Sequence, residues 1–177
     1  MQNLDKKIIT IMGMPGIGKT TIGKKLASKL NIYFIDLDKE IEDDQNHSIS
    51  KIFEEKGEEY FRKIESQKLQ YLLKLDDPCV LSLGGGTPIY QNNLDFIKEN
   101  SMSIFLQADI DTILSRVKNR SHRPLLNNPN KRQILQEMLQ NRQKFYQKAD
   151  IIVNSNDLNS DQAVGYIVTK LNEFLKK

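Results

Sequence analysis

The sequence predicts an α/β protein of three layers, α/β/α, with helices on both faces of a five-stranded parallel sheet. Three observations predict it. Short β-branched runs alternate with stretches of helical periodicity from end to end. The first run leads directly into Gly13-Met14-Pro15-Gly16-Ile17-Gly18-Lys19-Thr20, a glycine-rich turn ahead of a helix. The 177 residues suit one ordinary domain, taken here as residues 1–177.

Each element has its own signal. Ile8-Ile9-Thr10-Ile11-Met12 is uncharged and β-branched, the pattern of a strand buried on both faces. Lys19 to Leu30 reads as a helix, with Ile22, Leu26 and Leu30 at four-residue spacing. Tyr33-Phe34-Ile35 is a second strand. Helices follow over Asp38 to Asp44, Ile49 to Lys56 and Glu58 to Leu75, the last two separated at Gly57. Cys79 to Leu83 is a third strand, ending in Gly84-Gly85-Gly86. Leu94 to Asn100 reads as a helix, Ser103 to Leu106 as a fourth strand, and Asp111 to Lys118 and Lys131 to Tyr146 as helices. Ile151-Ile152-Val153 is the fifth strand, and an amphipathic helix from Asp161 to Leu175 closes the chain. Between them, residues 119–130 hold Arg120, His122, Arg123, two prolines and four asparagines without periodicity, which reads as a long loop or lid.

Composition excludes several classes. With 38% hydrophobic and 28% charged residues, the chain is no disordered tail. One cysteine, Cys79, excludes a disulfide framework and a cysteine-based zinc site; as a strand residue it is expected in the core. The apolar runs are too short for a membrane span, and the N-terminus is too short for a signal peptide, so a cytoplasmic protein without a membrane partner is expected. The net charge of +3 permits anionic ligands without naming one. The choice of cation says more. Arginine occurs only at 62, 116, 120, 123, 132 and 142, among 26 Lys and Arg. In a chain that defaults to lysine, each arginine marks a possible need for a planar fork that grips carboxylate or phosphate.

Gly13 to Thr20 fits G-x-x-x-x-G-K-[ST]. Glycines let successive N–H groups turn toward phosphate oxygens, and the following helix presents its positive end to the same anion. Lys19 can reach the β- and γ-phosphates, and the Thr20 hydroxyl can bind Mg²⁺. A guanine-nucleotide switch would add N-K-x-D and D-x-x-G, and neither occurs. A motor or AAA-type ATPase would need a longer chain and a Walker-B strand. A small-molecule kinase fits best.

Asp36-Leu37-Asp38 follows the second strand, where strand ends line the ligand crevice of such sheets. At i, i+2 both acids fall on a similar side of an extended segment. One could hold Mg²⁺ through water and the other accept a hydroxyl proton; Asp38 also suits a helix N-cap. The triple glycine marks a place where backbone approaches something closely. From Thr112 to Gln136 there is no Asp or Glu but six cations, a block suited to anions. It has no aromatic residue for base stacking, which disfavours single-stranded nucleic acid. His47 and His122 are expected on the surface; Phe34, Phe53, Phe61, Tyr71 and Phe105 are expected to pack.

Together these residues resemble the shikimate kinase family, a branch of the nucleoside-monophosphate-kinase-like P-loop proteins. The phosphate loop alone is generic. Phe61-Arg62-Lys63-Ile64-Glu65, Leu83-Gly84-Gly85-Gly86, Arg123-Pro124-Leu125-Leu126, and Arg142 ahead of Phe145-Tyr146 are specific in this order. The resemblance implies a P-loop kinase fold with a mobile lid over about 119–130 and substrate-binding helices over about 38–75. It implies ATP-dependent phosphorylation of the 3-hydroxyl of shikimate, on the route to chorismate and aromatic amino acids, with Mg²⁺ as cofactor. It further implies that Gly13, Gly16, Ile17, Gly18, Lys19, Thr20 and Thr21 hold the nucleotide phosphates. Thr20 and Asp36 would hold the metal. Asp38 would bind the ring hydroxyls and serve as base, Arg62 and Arg142 would hold the carboxylate, and Gly84, Gly85 and Gly86 would line the pocket. Arg123 would reach the transferring phosphate, and Arg116 and Asn156, in Val153-Asn154-Ser155-Asn156, would lie near adenine. Shikimate and ATP are the implied partners of a monomer, with no nucleic acid. A related metabolite kinase such as gluconate kinase shares the loop and size but does not need F-R-x-I-E with G-G-G. A non-catalytic nucleotide-binding domain would tolerate damage at Lys19, Asp36 or Asp38, and an RNA-binding module would rest on the basic lid alone.

Overall fold

The computed structural model describes residues 6–117 and 130–174. Residues 118–129, with Arg120, His122, Arg123 and most of the expected lid, lie outside the described residues.

Five parallel strands form one sheet in the order β2-β3-β1-β4-β5: β1 Ile8–Gly13, β2 Tyr33–Asp36, β3 Cys79–Ser82, β4 Ser101–Gln107 and β5 Ile151–Asn154. The helices are α1 Lys19–Leu30, α2 Leu37–Gln45, α3 Ile49–Leu72, α4 Asn93–Asn100, α5 Ile110–Val117, α6 Lys131–Tyr146 and α7 Ser160–Phe174. β1 is central and all six of its residues are buried, as its unbroken apolar run requires. The outer strands differ. β5 alternates buried and exposed, and Ile152 faces out at 40% exposure.

The register decides where a ligand can sit. Asp36 pairs with Ser82, Ile11 with Ser82, Gly13 with Leu106, and Gln107 with Asn154. The phosphate loop, Asp36 and the triple glycine therefore leave the sheet at one carboxyl edge, where open α/β sheets bind ligands.

Several boundaries differ from expectation for identifiable reasons. β4 begins at Ser101, two residues early, because its serines are satisfied: Ser101 Oγ donates to Ile97 O at 2.7 Å, and Ser103 Oγ donates to Asp150 Oδ2 at 2.6 Å. Gly57 does interrupt α3, with φ 79° and ψ 172°. A 3₁₀ turn at Thr87–Ile89, closed by Ile89 N–H donating to Gly86 O at 3.1 Å, was not legible in the sequence. Cys79 is buried, and burial together with the charge of Asp77 pushes its thiol up to about 11. Tyr71 departs from the packing role expected of it: it is 63% exposed, with Lys68 Nζ 5.6 Å from its ring centre.

Candidate active site

The phosphate loop runs from the end of β1 to the start of α1. Gly13, Gly16 and Gly18 adopt φ of 149°, 86° and 108°, so the loop turns through conformations that side chains disfavour. Lys19, almost fully buried, donates from Nζ to Gly13 O at 2.9 Å and Met14 O at 3.2 Å, which holds its charge over the loop. Thr20 Oγ1 donates to Asp36 Oδ2 at 2.9 Å, joining loop and β2. The two acids are arranged differently from the extended pair expected. Asp36 ends β2 and itself occupies the N-cap position of α2, yet makes no capping bond, because its carboxylate accepts from Thr20. Leu37, fully buried, starts the helix, so Asp38 stands in the first helical turn and is not the cap.

Asp38 turns instead toward the triple glycine, in a cleft of ≈ 380 Å³ that Arg62, Arg142 and all three glycines also line. The three glycines have a steric reason. A Cβ on Gly84 would stand 2.7 Å from Glu65 Oε1 and 3.0 Å from Asp38 Oδ1. On Gly85 it would stand 2.9 Å from Arg142 Nη1, and on Gly86 it would stand 2.6 Å from Arg62 Nη2. The missing methyl of Gly84 makes room for two charged groups, and those of Gly85 and Gly86 for one each.

Helical spacing brings those groups there. On the second half of α3, Arg62 is four residues after Glu58 and three before Glu65, so all three share a face. Nη1 of Arg62 donates to Glu65 Oε2 at 2.8 Å, while Nε and Nη2 both reach Glu58 Oε1 at 3.2 Å. Burial lowers the Arg62 pKa, but Glu65 and Glu58 outweigh it and hold the guanidinium above its ordinary value. Ile49 and Phe53 (i, i+4) supply apolar wall from the first half of α3, and Met138 and Arg142 (i, i+4) come from α6. Tyr146, fully buried on α6, donates to Gly85 O at 2.5 Å and stacks on Phe105 with centroids 5.0 Å apart. Burial raises its phenol to about 12 against the opposing pull of Arg142 and Arg62.

On the other side of the loop lies a second cleft of ≈ 210 Å³, lined by Gly16, Ile17, Gly18, Thr21 and Arg116 and closed by Leu158 to Ser160. Pro15 faces the first cleft and Gly16 the second, so one loop forms a wall of both. Arg116 spends its donors on backbone and serine: Nη1 to Ile17 O at 3.1 Å and Ser155 Oγ at 3.0 Å, Nη2 to Leu158 O at 3.2 Å and to Ser155 O. Burial pulls its guanidinium below the ordinary value, with Asp109 opposing.

The shikimate kinase family model matches residues 15–172. A shikimate kinase of Cereibacter sphaeroides is 43% identical over 152 residues, 86% of this chain and 76% of that protein. One from a Sulfurihydrogenibium species is 37% identical, across 93% of this chain and 98% of the other. The chain belongs to the shikimate kinase family. A solved shikimate kinase of Acinetobacter baumannii, in complex with shikimate, superposes with TM-score 0.90 at 30% identity, covering 98% of this chain and 97% of that one. A gluconokinase of Sinorhizobium meliloti at 15% identity and TM-score 0.61 shares the fold alone.

Within this shikimate kinase fold, Asp38, Arg62, Arg142 and Gly84 to Gly86 meet in one cleft, and Gly16, Ile17, Gly18, Thr21 and Arg116 in the other. Asn156 stands apart: its Oδ1 accepts from Asp109 N–H at 2.9 Å, and the residues that line the second cleft at this end are Leu158, Asn159 and Ser160. Arg123 lies outside the described residues. Sequence reasoning gave no role to Glu58 or Tyr146 and took Phe53 only as packing, although it lines the cleft. Magnesium, which the family implies, fits the residues present. Thr20 and Asp36 offer paired hard oxygens at the loop, and no group of three or more His, Cys, Asp or Glu suited to a metal occurs among the described residues. One or two protein oxygens completed by phosphates and water is the ordinary magnesium arrangement in kinases.

Proposed function

We propose that this chain carries out its family's reaction, transfer of the γ-phosphoryl group of ATP to the 3-hydroxyl of shikimate, with the two clefts in separate roles. ATP takes the cleft beside Arg116 and lays its phosphates along Gly13 to Thr21. Shikimate takes the cleft beneath the triple glycine. The observation that carries this reading is the convergence there of Asp38, Arg62 and Arg142, each within 3.0 Å of a Cβ position that a glycine leaves empty.

Two guanidinium groups suit one carboxylate, and Asp38 across the turn suits a ring hydroxyl. Held at both ends, the ring can direct one hydroxyl in line with the γ-phosphate, and most of the acceleration comes from such positioning plus charge neutralisation. Asp38 orients that hydroxyl and accepts its proton. Lys19 offsets charge on the transferring group, a role the family resemblance extends to Arg123. Thr20 and Asp36 would hold Mg²⁺, which would supply positive charge to offset that of the phosphates. No helix among the described residues is long and apolar enough to cross a membrane.

The test is coupled detection of ADP with shikimate, quinate and gluconate offered separately. Shikimate-dependent ADP release is expected. Equal turnover of gluconate, or none with shikimate, would overturn the assignment.

A further inference from the structure

The carboxylate of Glu65 is fully buried, and a buried carboxylate needs strong donors on both oxygens. Arg62 serves Oε2. Oε1 accepts from Thr87 Oγ1 at 2.6 Å, the length of a charge-assisted bond. Thr87 is itself fully buried, directly after the triple glycine. It is held from the other side: Asn93 Nδ2 donates to Thr87 O at 2.9 Å, and Ser66 Oγ donates to Asn93 Oδ1 at 2.6 Å. Ser66 follows Glu65 in α3, so the bonds close a ring through α3, the 3₁₀ turn and the start of α4. Among the described residues no buried side-chain nitrogen or oxygen lacks a partner.

We infer that Thr87 is a positioning residue for substrate: its hydroxyl fixes the Glu65 carboxylate, which fixes the Arg62 guanidinium at Gly86. The ring explains how a flexible arginine keeps one place in a site that must discriminate by geometry. Without the hydroxyl, Glu65 is left with one buried oxygen unpaired and swings to recover a donor, taking Arg62 with it. Thr87 is fully buried and lines neither cleft, so its effect is confined to the grip on the substrate carboxylate. This inference rests on the assignment of shikimate to the cleft.

The experiment compares wild type, Thr87→Val, Thr87→Ala and Thr87→Ser in the ADP-coupled assay, with thermal denaturation alongside. Val and Ala remove the hydroxyl in two shapes, so an ill-fitting Val alone does not decide the outcome. Both are expected to raise KM for shikimate about tenfold with KM for ATP unchanged, while Ser stays near wild type. The increase should disappear in an Arg62→Lys background, because the two residues act through one contact. An unchanged shikimate KM in both Val and Ala variants, or an equal rise in both KM values, overturns the role of Thr87. Absence of shikimate turnover in wild type overturns the functional assignment itself, and this inference with it.

Discussion

Asp38 and Gly86 show how single residues divide the work in the cleft. Asp38 contributes a carboxylate placed 3.0 Å from the missing Cβ of Gly84 and no helix cap, since Asp36 holds that position. Asp38→Asn keeps the shape and removes the carboxylate proposed to accept the proton. Turnover should fall by about 10² to 10⁴ while a nonhydrolysable ATP analogue binds with unchanged affinity by calorimetry; near-normal turnover would reject the role. Gly86→Ala tests the opposite kind of residue, one that acts by being small. Its methyl would fall 2.6 to 2.8 Å from three atoms of the Arg62 guanidinium. The guanidinium is the free end of a long side chain, so it moves rather than the backbone. Stability should fall by about 1 to 3 kcal/mol, because the displaced guanidinium leaves the buried Glu65 carboxylate short of a donor, and KM for shikimate should rise about tenfold through the lost charged contact. A variant that instead unfolds in ordinary buffer would show that the turn, and not Arg62, needs the glycine.

At the scale of elements, α3 is two helices that share one chain direction imperfectly. Its first half is capped at both levels: Ser48 Oγ accepts from Lys51 N–H at 3.3 Å, and Glu42 Oε1 accepts from Ile49 N–H at 3.0 Å. Lys68, on the second half, bridges back to α2 through Asp44 at 2.8 Å and Glu40 at 3.5 Å. Gly57 stands between the halves in a backbone region that is nearly exclusive to glycine, and a Cβ there would meet nothing within 4 Å. The cost of Gly57→Ala is therefore backbone strain alone, about 1 to 3 kcal/mol. Urea denaturation should show that loss. KM for shikimate should rise as well, because Ile49 and Phe53 hang from the first half and Arg62 from the second. A stability change within a few tenths of a kcal/mol would mean that the bend straightens without cost. The stop at Gly57 was legible in the sequence because one residue carries it. The 3₁₀ turn was not, because its signal is a contact: Thr87 packs its hydroxyl against a carboxylate from another element.

Across the whole molecule, the same division separates what the sequence states from what only folding reveals. The positions of the strands along the chain follow from β-branched runs, and the phosphate loop from its spacing, since both are local patterns. The cleft needs β3, α3 and α6 to arrive at one place. Arg62 and Arg142 could be suspected from their scarcity, but Tyr146 could not be told from any other aromatic of an amphipathic helix. It proves to be the bolt between α6, the triple-glycine turn and β4, with its ring on Phe105 and its hydroxyl on Gly85 O. That burial makes stability depend on alkaline pH. The phenol's pKa rises from 10.0 to about 12 on folding. The neutral form is the one the fold accommodates, so the stabilisation is complete below pH 10 and is lost as pH climbs toward 12. A rise of this size corresponds to about 2 to 3 kcal/mol in total. Tyr146→Phe should be less stable than wild type at pH 8, by about 1 kcal/mol for the hydrogen bond to Gly85. Its own decline through the alkaline range should be shallower, because it has no phenol to ionise. Cys79, also raised, titrates in both proteins and cancels in the difference. Urea midpoints at pH 8, 10 and 11.5 should therefore draw together and then cross. A constant gap across that range would mean that the hydroxyl ionises as freely in the fold as outside it.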